Sequence, residues 1–130
     1  MISFKNIEDD HYKYELMGNY HHTTGIGIPA TIRSGFLTLS HFGFLTIFQG
    51  YQWDGPSGPT FDTASFMRGS LVHDALYQLM REGKLPQAAR KPADRLLNQI
   101  NKEDGMSWWR RFYVYRMVRL FAGGAASQRG

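Results

Sequence analysis

The chain has 130 residues, a formal charge of +4, 42% hydrophobic residues and no cysteine. That length suits one domain with its own core and excludes two comfortable ones. Without cysteine there is neither a disulfide framework nor a thiolate metal site, so stability has to come from packing Phe, Tyr, Leu and Met, and a reducing compartment is allowed.

Residues 2–10 are already interrupted by Lys5, Asn6, Glu8, Asp9 and Asp10, and no apolar run approaches the roughly 18–20 residues of a spanning helix. A soluble chain with no export signal is therefore expected. The charge is uneven: residues 1–60 hold three Lys/Arg against five Asp/Glu, whereas residues 61–130 hold twelve against six. From Gly105 onward there are five Arg and no acid. Such a field attracts an anionic membrane, a phosphate-bearing substrate or nucleic acid, and it is equally the pattern of an ordinary solvated basic face.

Up to about Gly50 the chain is rich in β-branched and aromatic residues punctuated by glycine, as in Tyr20 to Thr24, Phe36 to Ser40 and Phe42 to Phe48. These read as short antiparallel strands, with Gly35 and Gly43 as turn or bulge points. His21 and His22 are neighbours on one such strand and face opposite ways, which suits surface histidines better than a chelate. A Gly-Pro loop follows over residues 53–62.

Beyond the loop the period changes from two to about 3.6, and residues 63–82 read as a helix capped by Asp62 or Thr63 and closed by Gly83. Phe66, Gly69, Val72, Leu76, Leu79 and Met80 form its apolar arc. His73 lies inside that arc with Tyr77 beside it, while Asp74 is turned roughly 100° away, toward Ser70, Gln78 and Arg81. A second helix spans residues 92–102, with Pro92 and Asp94 in its first turn, where the macrodipole favours a carboxylate, and with Ala93, Leu97 and Ile100 as its stripe. A last helix spans residues 107–121, its aromatic and arginine residues scattered around the wheel. That distribution does not make a clean interfacial helix, and core packing with snorkelling arginines accounts for it at least as well. Residues 123–130 form a small, polar, frayed tail. The fold class is thus α+β within one domain over residues 1–122, β-rich to residue 52 and helical from residue 63.

The run His73-Asp74-Ala75-Leu76-Tyr77, followed by Ala93-Asp94 and preceded by Gly55-Pro56, resembles the active-site pattern of phospholipase A2, particularly the compact form embedded in parvovirus capsid proteins. The likeness covers roughly residues 53–97 and implies a phospholipase A2-like helical core. Over more of its length the chain is similar to a family of small phage and prophage proteins classed as a domain of unknown function. The matching segments are Asp54-Gly55-Pro56-Ser57-Gly58-Pro59, Ser70 to Tyr77, Ala93-Asp94 and the closing aromatic-basic helix. That similarity implies a phage origin, in the host cytoplasm or the virion.

The phospholipase resemblance implies that His73 is a general base and Asp94 its orienting carboxylate, since a neutral imidazole takes a proton from water once its tautomer is fixed. It implies Ca²⁺ held by Asp74 and by loop carbonyls of Trp53, Gly55 and Ser57 or Gly58, opposite the developing oxyanion. Tyr77, with Tyr113 or Tyr115, would hydrogen-bond Asp94. Trp53 departs from the loop tyrosine of that family, and the disulfides of its secreted members are absent.

Two function classes follow. One is a Ca²⁺-dependent lipid esterase approaching an anionic membrane through its basic half. The other is a non-catalytic phage accessory or virion protein that binds a phage or host protein partner. In it His73 is a core histidine satisfied by Asp94 and Tyr77, and Asp74 pairs Arg81 or caps a loop. A zinc site of His73, Asp74 and Asp94 is a weaker option, because adjacent helix residues diverge, and nucleic-acid binding lacks a reading motif.

Overall fold

The computed structural model describes residues 2–7, 12–55 and 64–127. The expected cap at Asp62 or Thr63, and Ser57 and Gly58 of the loop, lie outside the described residues. The chain divides into two compact units, Met1–Ser57 and Gly58–Gly130. N-terminal antiparallel strands are followed by helices, an α+β arrangement.

The described residues of the first unit form strands β1 (Phe4–Asn6), β2 (Tyr14–Leu16), β3 (Tyr20–Thr23), β4 (Ile32–Ser34), β5 (Leu37–Leu39), β6 (Phe44–Ile47) and β7 (Gln52–Trp53). One sheet has the order β3-β6-β5-β4, and Gly35 and Gly43 both lie in its hairpin connections. Alternate residues Leu37, Leu39, Leu45 and Ile47 are wholly buried, the period-two pattern of a sheet with one face in the core. On β3 the two histidines do part: His21 stacks on Phe44, while His22 accompanies Tyr20.

The other sheet, β1-β2-β7, was not anticipated. Its strands of two and three residues are too short to show a period, and Tyr14 finds its partner Trp53 far along the chain. Phe4, Tyr14 and Trp53 pack there with ring centroids 5.5–6.1 Å apart. Trp53 is therefore a buried strand residue rather than a loop residue, and its carbonyl accepts the Lys13 N–H at 3.2 Å.

In the second unit α1 (Ala64–Arg81) buries the face on which His73 lies. It ends in a Schellman motif, with Gly83 N–H donating to Met80 O and Lys84 N–H to Leu79 O, and the +76° φ of Gly83 explains why glycine stands there. A 3₁₀ turn (Gln87–Ala89) leads into α2 (Arg90–Glu103). The helix thus begins before Pro92, which is tolerated in the first turn because its missing N–H would have had no intrahelical partner. Asp94 falls in the second turn, so side-chain partners, not the first-turn dipole, account for its place.

Gly69 brings α1 and α2 together, since a Cβ there would lie 2.4 Å from Asn101 Oδ1 and 2.9 Å from Leu97 Cδ1. Arg68 on α1 grips the end of α2, donating to both Asp104 oxygens at 3.0 Å and to Glu103 at 2.8 Å. Helix α3 (Trp108–Phe121) seals the other side, with Val114 joining Phe66, Leu97 and Met106 in a core cluster. Each such side chain contributes about 1.5–3 kcal/mol.

Two expectations fail here. Core packing of the α3 aromatics is overturned: Trp108, Trp109, Phe112, Tyr113 and Leu120 keep between 49% and 73% of their surface exposed. The expected frayed tail instead contains α4 (Gly123–Ala126). Ala126 is buried, and Arg81 and Gln87 donate to the Ala125 and Ala126 carbonyls. Small residues fold there because side chains from other elements cap their backbone. Among the described residues no helix is long and apolar enough to cross a membrane.

Candidate active site

Most of α1 is buried, His73 with it, and the stripe of α2 carries Asp94 to meet it. Asp94 has no solvent exposure, and His73 keeps 7%. His73 Nε2 lies 2.7 Å from Asp94 Oδ1, and the Tyr77 hydroxyl donates to the same oxygen at 2.5 Å. The other oxygen, Oδ2, accepts from Arg119 at 2.8 Å.

A carboxylate ringed by donors stays ionised. Burial pushes the Asp94 carboxyl up, but the hydrogen bonds from His73, Tyr77 and Arg119 together outweigh it and hold the group below its usual range. An ionised Asp94 only accepts, so the neutral imidazole carries its proton on Nε2 and leaves a lone pair on Nδ1. Nothing among the described residues hydrogen-bonds to Nδ1. The hydroxyl of Tyr77 is pushed far up by burial and by the Asp94 charge, so it remains a donor.

Tyr77 does not satisfy the imidazole, as a purely structural core histidine was expected to require. It tilts against the ring at 4.1 Å between centroids and spends its proton on Asp94. Its oxygen accepts from Arg90 Nε at 3.1 Å, and Arg90 also donates to the carbonyls of Val118 and Arg119 at 2.7 and 2.8 Å. The network therefore ties α1, α2 and α3 together.

Tyr113 and Tyr115 do not take the second carboxylate oxygen of Asp94; Arg119 does. Tyr113 is exposed on α3, and Tyr115 faces a groove beside Arg95. Sequence reasoning missed Arg90 and Arg119, which nothing local distinguishes from other arginines. The available signal was stoichiometric: a carboxylate on an apolar stripe needs more donors than His73 and Tyr77 supply.

Asp74, the next residue, is turned about 100° from His73 around α1 and is half-buried. Arg81 reaches the Ala125 carbonyl where a pairing with Asp74 had been one expectation. Trp53 and Gly55 belong to the first unit, and the backbone of Gly55 is left-handed at φ +72° with Tyr14 against its Cα. The donors implied for calcium are one carboxylate and several carbonyls, hard oxygens of the right kind. Among the described residues no three His, Asp or Glu side chains gather, so His73, Asp74 and Asp94 do not form a zinc cluster.

No family model, curated protein or solved structure matches this chain. The chemistry of the site is thus carried by its own side chains: a buried ionised acid, an imidazole oriented through one nitrogen, and a second nitrogen left available.

Proposed function

We propose that the chain is a hydrolase of lipid esters in which His73 is the general base and Asp94 orients it. The observation that carries this reading is the asymmetry of the imidazole, with Nε2 held by Asp94 and Nδ1 without a partner among the described residues. A water at Nδ1 gives up its proton as its oxygen bonds to the ester carbonyl carbon. The imidazolium so formed faces Asp94, whose charge stabilises it, and the proton then passes to the departing alkoxide as the carbon–oxygen bond breaks. Tyr77 and Arg119 keep Asp94 ionised and fixed throughout.

Calcium, with Asp74 as a carboxylate ligand, would supply the positive charge opposite the developing oxyanion. The likeness of residues 54–59, 70–77 and 93–94 to small phage proteins supports a phage origin. The test is fatty-acid release from phospholipid vesicles with and without calcium, comparing the native chain with His73→Gln. Release that needs calcium and is lost in the variant supports the reading, and no release under either condition defeats it.

One observation favours the non-catalytic alternative, an accessory or virion protein with a protein partner. Arg119 and Arg90 use the same network to fasten three helices, which is a structural role whether or not water is activated. On that reading His73→Gln lowers stability and there is no turnover to lose.

A further inference from the structure

Helix α3 leaves its aromatic side chains outside and borders a groove of about 470 Å³ lined by Arg95, Asn98, Trp108, Arg111, Phe112 and Tyr115. Among the described residues no acid lines this groove. Among the described residues Arg95 makes no ion pair, and Arg111 is engaged only through Nε, which donates to the Met106 carbonyl at 3.3 Å. Of the acids near it in sequence, Asp94 beside Arg95 is taken by His73, Tyr77 and Arg119, and Glu103 and Asp104 by Arg68. Two guanidinium groups, a carboxamide and a phenol thus converge without a carboxylate to answer them. Their complement is an anion with several acceptor oxygens, which is the chemistry of a phosphate.

The surroundings of the groove narrow the source of that phosphate. Trp108 and Phe112 form its rim, and helical spacing continues the apolar surface through Trp109, Tyr113 and Leu120. Arg116 interrupts this sector, with its guanidinium 5.9 Å from the Phe112 ring centroid, and Arg119, which the spacing places beside Phe112, donates to Asp94. An exposed contiguous apolar patch marks an interaction surface, and Trp and Tyr suit a boundary between water and hydrocarbon. A soluble phosphate would leave Trp109 and Leu120 unexplained. A phosphate attached to acyl chains accounts for both halves of the surface, and α3 carries no acid to repel it.

We propose that the groove between α2 and α3 binds the phosphate headgroup of an anionic phospholipid while the outward face of α3 enters the boundary between headgroups and acyl chains. This deepens the hydrolase reading, on which it rests for its purpose, by naming the surface from which lipid would be drawn. Binding is read without turnover, so the two fail separately.

The experiment measures co-sedimentation and tryptophan emission of the full chain with vesicles of phosphatidylcholine alone or mixed with phosphatidylglycerol, at low ionic strength. The expected result is partitioning to the mixed vesicles with a blue shift. Removing either groove cation, as Arg95→Gln or Arg111→Gln, weakens it roughly fivefold, the effect of one basic residue at an anionic surface. Trp109→Ser, outside the groove, weakens it as well. Because Arg111 also holds the Met106 carbonyl, the exposed Arg95 is the decisive position should Arg111→Gln unfold. Absence of partitioning, equal binding by Arg95→Gln, or saturable binding of inorganic phosphate with none to vesicles would each overturn the proposal. Self-association through α3 without vesicle binding would do the same.

Discussion

Asp94 holds His73 by a single ring nitrogen, Oδ1 to Nε2 at 2.7 Å, inside a core where the carboxylate has no exposure at all. The bond does two things: it fixes the tautomer, and it offers a counter-charge to an imidazolium. In Asp94→Asn the amide can donate to Nε2 and move the ring proton to Nδ1, the nitrogen that has to be bare. Vesicle hydrolysis should then fall by about 10²- to 10⁴-fold, the usual worth of a positioned base. The Michaelis constant should change little, because the carboxylate does not touch lipid. A variant that hydrolyses as fast as the native chain would remove Asp94 from the mechanism.

The same carboxylate predicts a pH dependence of stability with a definite sign. Its folded-state pKa is depressed, despite the upward push of burial, by the hydrogen bonds from His73, Tyr77 and Arg119. The stabilisation is therefore complete above the unfolded carboxylate value of about 3.9 and is lost as pH falls through the lower folded value. Urea midpoints of the native chain should drop on that acid limb. Those of Asp94→Asn lack this contribution, so the gap between the two proteins should narrow toward low pH. A gap of constant size from neutral to acid would show that charge is not what the network stabilises.

The helices that frame the site were legible because burial on one side imposes a 3.6-residue period on α1 and α2, and Gly83 marks an end that only a left-handed residue closes well. His73, Tyr77 and Asp94 fell on facing stripes for the same reason. Arg90 and Arg119 were not legible, because a long flexible cation acquires its partner only once three helices have docked. The β1-β2-β7 sheet was hidden by strands shorter than their own repeat. Helix α3 misled for a different reason: its aromatics look like core residues by composition, and only the packed structure shows that Val114 alone is buried deeply among its described side chains.

Arg90 is the link between the site and the end of α3. It donates to Tyr77 and to two carbonyls of the last turn of α3, where a cation also complements the helix dipole. Arg90→Met keeps the aliphatic stem and removes all three bonds, so a loss of about 1.5–3 kcal/mol is expected, the range for hydrogen bonds to a charged group. Hydrogen exchange should quicken selectively over residues 118–127. Uniform exchange across the helices would argue that the arginine does not fasten this end.

The contact between Gly69 and Asn101 yields a non-additive prediction. Asn101 is wholly buried, and among the described residues its Oδ1 and Nδ2 are both without a hydrogen-bond partner. A methyl at position 69 would press on that amide at 2.4 Å, so Gly69→Ala alone should destabilise by about 1–3 kcal/mol through overpacking. In an Asn101→Ala background the obstacle is gone. Alanine should then recover part or all of its helical advantage over glycine, about 1 kcal/mol. Leu97 Cδ1, at 2.9 Å from the same methyl, sets the limit of that recovery. A double-mutant cycle by urea denaturation reads the coupling directly, and additive effects would mean that the amide is not what holds Gly69 in place.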